Sequence, residues 1–305
     1  MPCYSIQKQA ALSHRKEAIM DVIWIILLFL LLLVALYLLF LMTASSKDAE
    51  RMNGMLYAHR GYHNMTLGIP ENSIAAFRRA RAFGYGVEFD IQLTKDNKVV
   101  VFHDESLKRM CGIDRNVRDL TYEQLRRYRL LETDQTVPLL EEVLETVGHD
   151  TPILCEIKVY GGYTNTVICR VALPLLRAYR SRMVIESFNP FALHWFRKNA
   201  PEFVRGQLSC SFRNSKDGPN PVVGFLAENL IFNVIGFPAF LAYRHSDSGN
   251  ISFALAKKLY RPVTVAWTLH SEKEQRTASN NGYNAFIFEG YQASPMPPRP
   301  QRRRS

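Results

Sequence analysis

Apolar and polar positions from residue 55 onward alternate between two periods. Short β-rich runs (MLYAHRG, GVEFDIQL, PILCEIKV, MVIESFN, VRGQLSC, FPAFLAYRH, PVTVAWTLH and NAFIFEG) are separated by stretches with helical spacing, such as ENSIAAFRRARAFG, PLLEEVLETVG, CRVALPLLRAY, FALHWFRKNA, ISFALAKKLY and EKEQRTASNNG. Strand cores alternating with amphipathic helices predict parallel strands joined by right-handed crossovers. VVVFHDES follows GVEFDIQL across the turn TKDNK and reads as the return arm of a hairpin, which leaves eight β/α units. Eight units over about 240 residues is the size of a closed TIM (β/α)8 barrel. An open doubly wound sheet would want a glycine-rich phosphate loop after its first strand, and HRGYHN is not one.

Ahead of this pattern lies a segment with no period. Val22 to Met42 is an unbroken apolar run of 21 residues, long enough at about 1.5 Å per residue to cross roughly 30 Å of hydrocarbon. It exceeds the apolar stretch of a cleaved signal peptide, about 7–15 residues, and TASS is an indifferent cleavage site. A transmembrane helix is the stronger reading. Lys8, Arg15 and Lys16 precede the run, against Lys47 and Arg51 after it, which puts the N-terminus inside the cell membrane and the body outside. The expected division is a cytoplasmic segment 1–21, a single transmembrane helix 22–42, a polar linker 43–54, a barrel domain 55–291 and a basic, disordered tail 292–305.

Composition adds exclusions. The 305 residues carry 38 Lys and Arg against 28 Asp and Glu, a net charge of +10. Arg299, Arg302, Arg303 and Arg304 supply four of those charges from the tail, so the body has no nucleic-acid footprint. The tail reads as a plain solvated extension first, and as a contact for anionic headgroups of membrane lipids second. Five scattered cysteines without a CxxC pair exclude a disulfide scaffold and a zinc motif. No obligate protein partner is evident.

Polar residues recur at the ends of successive strands: His59 and Arg60, Glu88 and Asp90, Glu156 and Lys158, Ser187 and Asn189. In a barrel these ends meet at one mouth, where active sites of this fold lie. Glu88 and Asp90 are two apart on a strand, so both carboxylates point one way, and Glu156 reaches them from the neighbouring strand. Three hard oxygen donors suit Mg²⁺ or Ca²⁺; the competing reading is a metal-free ion network with Arg60 and Lys158. His59 and His103 fall at strand ends beside the acidic cluster, as a proton-transfer pair would. An arginine, a lysine and a divalent cation around one mouth would clamp a phosphate.

The set HRG (59 to 61), PENS (70 to 73), EFDIQLTKDNKVVVFHD (88 to 104), DLTYEQL (119 to 125), PLLEEVLE (138 to 145), EIK (156 to 158) and SFN (187 to 189) closely resembles the glycerophosphodiester phosphodiesterase family. AWT (266 to 268) is similar to the family's late tryptophan strand. The resemblance implies a TIM barrel with a small insertion after the second unit, here about 104 to 137. It also implies His59 and His103 as the acid–base pair, Glu88, Asp90 and Glu156 as metal ligands, and Arg60 and Lys158 as phosphate ligands. Asn72 would support the site from the PEN loop, and Phe188 and Trp267 would line the pocket. The implied reaction is attack on phosphorus by the glycerol 2-hydroxyl, then hydrolysis of the cyclic phosphate, giving an alcohol and glycerol 3-phosphate. The last strand ends in FEGYQ where the family has an acidic pair, which leaves open whether Glu289 replaces its aspartate.

Pro221 to Ala242 is unusually apolar. It reads as a barrel helix and strand, or as an interfacial helix seating the mouth on the bilayer. Lysophospholipids therefore stand beside soluble glycerophosphodiesters as substrates, the former giving a lysophospholipase D. A silent, membrane-tethered scaffold is the competing class, disfavoured because both histidines and all three carboxylates are present.

Overall fold

A computed structural model describes residues 2–162, 164–213 and 218–295, without the side chains of 2–15 and 18. Nine strands form one sheet among these residues: β1 (Leu56–Ala58), β2 (Gly86–Leu93), β3 (Val99–Val101), β4 (Ile153–Ile157), β5 (Met183–Ser187), β6 (Arg205–Ser209), β7 (Phe240–Arg244), β8 (Val263–Leu269) and β9 (Ala285–Phe288). Eight are parallel and in sequence order, and β1 pairs with both β9 and β2, closing the barrel. Closure removes the two sheet edges that would otherwise stay unpaired. β3 is antiparallel to β2 and stands outside the ring, the hairpin return arm that the sequence predicts.

Four of the crossover helices have a side-chain cap that fixes where they start. Ser73, Asn189, Asn250 and Ser271 each accept a hydrogen bond from a backbone N–H of the first helical turn, satisfying donors that the helix itself cannot. The apolar faces of the crossover helices pack on the outer side of the strands, around Phe77, Leu144, Leu176, Phe196 and Phe253, all buried. A second core fills the barrel with Tyr57, Leu154, Val184, Phe240, Val265 and Ile287. Gly206 on β6 makes room there, because a Cβ at that position would collide with the Phe240 ring. The stretch after β3 has its own small core of Val100, Phe102, Leu107, Met110, Leu120, Leu125 and Leu130, which is the expected insertion folded as a subunit of the domain.

The N-terminal helix runs from Pro2 to Phe40, and Ile19–Phe40 within it is long and apolar enough to cross a membrane. The stretch expected as a polar linker is folded: Asp48–Met52 forms one 3-10 turn, and Ala49 and Met52 are buried against the barrel's inner core. Arg51 donates to the carbonyls of Ser181 (2.8 Å) and Met183 (2.7 Å), pinning this turn beneath β5. At the other end, packing continues a few residues past 291. Ala293 is buried, and its carbonyl accepts from the Tyr85 hydroxyl at 2.8 Å. The rest of the expected tail, 296–305, lies outside the described residues.

Candidate active site

The HRG loop sets the geometry. Arg60 and Asn72 both adopt positive φ, 54° and 51°, a region that costs non-glycine residues free energy and recurs at functional sites. The conformation is held by hydrogen bonds: Arg60 N–H donates to Glu88 Oε2 (2.9 Å) and Asn72 N–H to the Arg60 carbonyl (2.8 Å). Gly61 follows at φ 79°, and a Cβ there would lie 2.8 Å from that of Ala76. Glycine is thus required by both the turn and the approach of the next helix.

Glu88, Asp90 and Glu156 come together as the sequence predicts. Asp90 sits beside Glu156 across the β2–β4 ladder, and one carboxylate oxygen from each of the three lies within 4.8 Å of the others, all buried. Burial, reinforced by Asp90 and Glu156, pushes the Glu88 carboxyl well above its ordinary range. Asp90 is also buried, yet the Lys158 ammonium, His103 and Arg60 hold it well below its usual value. Burial and Asp90 raise Glu156 against the opposing pull of Lys158. A buried, mutually repelling set of carboxylates is the donor set that a hard divalent cation fits.

Lys158 Nζ lies 2.9 Å from Glu156 and 3.1 Å from Asp90, and Arg60 Nε lies 3.7 Å from Asp90. The two expected phosphate ligands therefore pair with the acidic triad, as in the ion-network reading. Asn72 Nδ2 donates to Asp90 Oδ2 at 3.1 Å, so this side chain orients a carboxylate.

The two histidines flank the triad, each held by a carboxylate. His59 Nδ1 is 2.6 Å from Glu289 Oε2, and its Nε2 faces Glu88 at 4.0 Å. His103 Nδ1 is 2.6 Å from Asp104 Oδ1. A carboxylate only accepts, so Nδ1 carries the proton in both rings and Nε2 is turned to the site. Burial lowers the His59 pKa to about 4, against the raising effect of Glu289; Glu289 itself is lowered to about 2, chiefly by that hydrogen bond, despite its burial. Glu289 is thus the carboxylate partner of His59.

Several participants carry no clear sequence signal. Arg109, from the insertion, donates to Asp104 (2.6 Å) and to Glu71 (2.8 and 2.6 Å), and Glu71 also accepts from Arg60 at 2.6 Å. Tyr160 donates to the His103 carbonyl at 2.9 Å. Glu186 on β5 is buried beside Glu156, with Oε2 lacking any hydrogen-bond partner. The PEN and HD motifs include Glu71 and Asp104, but nothing local in the chain singles out Arg109 or Tyr160: Arg109 reaches Glu71 38 residues away and Tyr160 the His103 carbonyl 57 residues away.

Beside the triad opens a groove of about 460 Å³, walled by Phe188, Phe191, Phe212, Val223 and Phe232, with Glu156 and Lys158 at its inner end. Trp267 packs edge-on against Phe188, ring centroids 5.6 Å apart, so it supports the groove from behind Phe188.

Residues 59–289 match the glycerophosphoryl diester phosphodiesterase family. The chain belongs to that family. This glycerophosphodiester phosphodiesterase family member is 33% identical over 169 residues to a glycerophosphodiester phosphodiesterase of Caldanaerobacter subterraneus subsp. tengcongensis, covering 52% of this chain and 67% of the relative. It is 37% identical over 136 residues to a lysophospholipase D of Rattus norvegicus, covering 40% and 41%. Among solved structures, the Thermotoga maritima glycerophosphodiester phosphodiesterase matches with a TM-score of 0.59 at 27% identity, over 77% of this chain and 93% of that one. An Oleispira antarctica phosphodiesterase in complex with the product sn-glycerol-3-phosphate shares the fold, with a TM-score of 0.63 at 23% identity, over 79% and 94%.

Proposed function

We propose that this family member hydrolyses glycerophosphodiesters to an alcohol and glycerol 3-phosphate, with His59 and His103 as the acid–base pair. The carrying observation is the pair of imidazoles on either side of the carboxylate triad, each with Nδ1 fixed by an acid at 2.6 Å. His59, with its pKa lowered to about 4, is neutral at physiological pH and is the base. It takes the proton of the glycerol 2-hydroxyl as that oxygen bonds to phosphorus. The bond to the alcohol oxygen breaks, and His103 gives that oxygen a proton. Water then opens the cyclic phosphate with the roles reversed.

Glu88, Asp90 and Glu156 would hold Mg²⁺ or Ca²⁺. Bound there, the cation would neutralise phosphate charge and polarise the phosphoryl oxygens. Arg60 and Lys158 then bring their cationic groups toward the phosphate.

Lysophospholipids are the second substrate reading, favoured by the phenylalanine-lined groove that starts at Glu156 and Lys158. A single acyl chain is the apolar ligand that such a groove suits. The span Ile19–Phe40 anchors the protein in a membrane in this reading, with the barrel extracytoplasmic by the balance of flanking positive charge.

Full-length protein given glycerophosphocholine and lysophosphatidylcholine together, with either metal and then with chelator, tests the reaction. Chelator-sensitive glycerol 3-phosphate is the expected product, and lysophosphatidic acid appearing first would move the preferred substrate into the membrane. Neither product with either metal, and no difference between the protein and its His59→Ala variant, would refute the assignment.

A further inference from the structure

The route of the chain between the N-terminal helix and β1 fixes which end of the barrel faces the lipid. In this fold a helix that follows a strand begins at the mouth end, and the residues just before a strand lie at the opposite end. The Tyr37 hydroxyl donates at 2.7 Å to Ser252 Oγ, which in turn donates to Asn229; Ser252 is the second residue of the helix Ile251–Leu259 that follows β7, so Tyr37 sits toward the mouth. Further along, the Leu41 carbonyl accepts from Asn233 at 3.3 Å, and Ala44 N–H donates at 2.7 Å to the carbonyl of Pro238, two residues before β7. Ala49 and Met52 then lie under the barrel's inner core. The chain therefore descends from mouth to bottom between Tyr37 and Met52. Traced backward, the helix leaves the body at the mouth end, and the residues from Ile19 to Leu36 are exposed.

The same end of the barrel carries exposed apolar side chains. Val222 and Phe225, on the helix Pro221–Glu228 after β6, are 69% and 60% exposed, and Ile251, next to Ser252, is 74% exposed. Val223 and Ala227 line the groove. At i,i+4 they share one face of the helix, while Val222 and Phe225, at i,i+3, share another. One helix thus walls the groove on one side and presents apolar surface on the other. Met65 and Leu67, in the loop after β1, add exposure of 45% and 60% at the mouth end.

We propose that the barrel mouth docks on the very bilayer that the N-terminal helix spans, with Val222, Phe225 and Ile251 inserted at the headgroup–acyl boundary. The occupant of this apolar face is the lipid bilayer. Its argument is continuity: Ile251 adjoins the residue that binds the anchor, and the anchor leaves from the same end. A diester lipid would then reach the groove without crossing open water. This inference rests on reading Ile19–Phe40 as a membrane span.

The test places a fluorophore on single accessible cysteines in full-length protein reconstituted into phosphatidylcholine vesicles, with Cys3 and Cys111 replaced by serine and the buried Cys155, Cys169 and Cys210 retained. Labelled sites are L30C in the helix, F225C and I251C at the mouth, and R182C, which is exposed just before β5 at the bottom. Nitroxide lipids report depth by quenching. Quenching at 30, 225 and 251 but not at 182 is expected, with 225 and 251 about 5–10 Å deep, as for an interfacial helix. Quenching at 30 without quenching at 225 and 251 overturns the docking and leaves the anchor standing. No quenching at 30 overturns the anchor and the docking with it. Quenching at 182 equal to that at 225 overturns the orientation.

Discussion

Replacing Glu289 by Gln keeps the shape of the His59 partner and removes its charge. The carboxylate lies 2.6 Å from His59 Nδ1 and is partly exposed, at 29%. At that separation Coulomb's law gives about 3 kcal/mol for an effective dielectric of about 40, chosen between a buried and a fully solvated pair. That energy is available only once His59 has taken the proton, so the loss falls on the transition state. It corresponds to a fall in kcat of about 10²-fold, while KM should move by less than about threefold. The pH profile supplies an independent readout. Glu289 raises the His59 pKa against burial, so its neutralisation lowers that pKa further. With His59 as the proposed base, acting in its neutral form, the acidic limb of the kcat profile is expected to shift to lower pH in the variant. Steady-state kinetics on glycerophosphocholine from about pH 2.5 to 8, a window that extends below the His59 pKa of about 4, measure both effects. A kcat within about threefold of the parent, or a rise in KM at unchanged kcat, would refute the assignment of Glu289 as the partner of a catalytic base.

Four further outcomes are expected. Mg²⁺ or Ca²⁺ should raise the melting temperature of the parent protein, by about 2.7 kcal/mol of stability at a hundredfold excess over Kd, and should leave Glu88→Gln and Asp90→Asn unmoved; equal shifts in all three by differential scanning fluorimetry would remove the cation from this site. Gly61→Ala should cost about 1–3 kcal/mol in chemical denaturation, because it combines positive φ with the approach of Ala76, and a loss below about 0.5 kcal/mol would contradict the packing argument. Glu186 is raised well above 4.5 by burial, with Glu88 and Glu156 adding to it. The native state thus holds its proton to higher pH than the unfolded chain, and the stability this provides near pH 4.5 is lost as pH rises. Glu186→Gln should consequently melt higher than the metal-free parent at alkaline pH, the gap closing toward pH 4.5; a gap independent of pH would contradict this. Arg109→Ala should lower kcat about tenfold by releasing Asp104 and Glu71 together, and an unchanged kcat with lower stability alone would make the residue purely structural.

Much of the barrel is legible in the chain because its signals are local. Period-two runs ending in HRG, EFD, EIK and SFN mark both strand and mouth, and Glu88 with Asp90 fix one face without any knowledge of the fold. The acidic triad follows from that spacing plus parallel order, which the β2–β4 register bears out. Contacts between residues far apart in the chain are invisible by the same reasoning, even when their strands are neighbours as β1 and β9 are. Glu289 lies 230 residues from His59, and FEGYQ offers no local clue to which ring it would meet. The stretch 43–54 misleads for another reason: SSKDAERMN is polar in composition, but the two apolar residues Ala49 and Met52 suffice to seat its single turn in the barrel floor. Composition averages over a segment, whereas burial is decided residue by residue.

The insertion after β3 has a physical role in the site. His103 leaves β3 with Asp104 next to it, and an unsupported adjacent carboxylate would be free to rotate away from the ring. Arg109 removes that freedom with two hydrogen bonds to Asp104 (2.6 and 3.0 Å) and two to Glu71. Asp104 is accordingly held well below the ordinary carboxylate range, by its bonds to His103 and Arg109 against the cost of burial. Glu71 is lowered by Arg109 first and by Arg60 as well. One guanidinium therefore joins the carboxylate that orients His103 to the one that orients Arg60. Planar, forked donors suit this task better than a lysine would, because both acids must be held at fixed angles at once. Leu107 and Met110, buried in the insertion's own core, flank Arg109 and hold the short helix that presents it. The separate core of the insertion thus acts at the mouth: its packing sets where one arginine stands, and that arginine sets the carboxylates that hold His103 and Arg60.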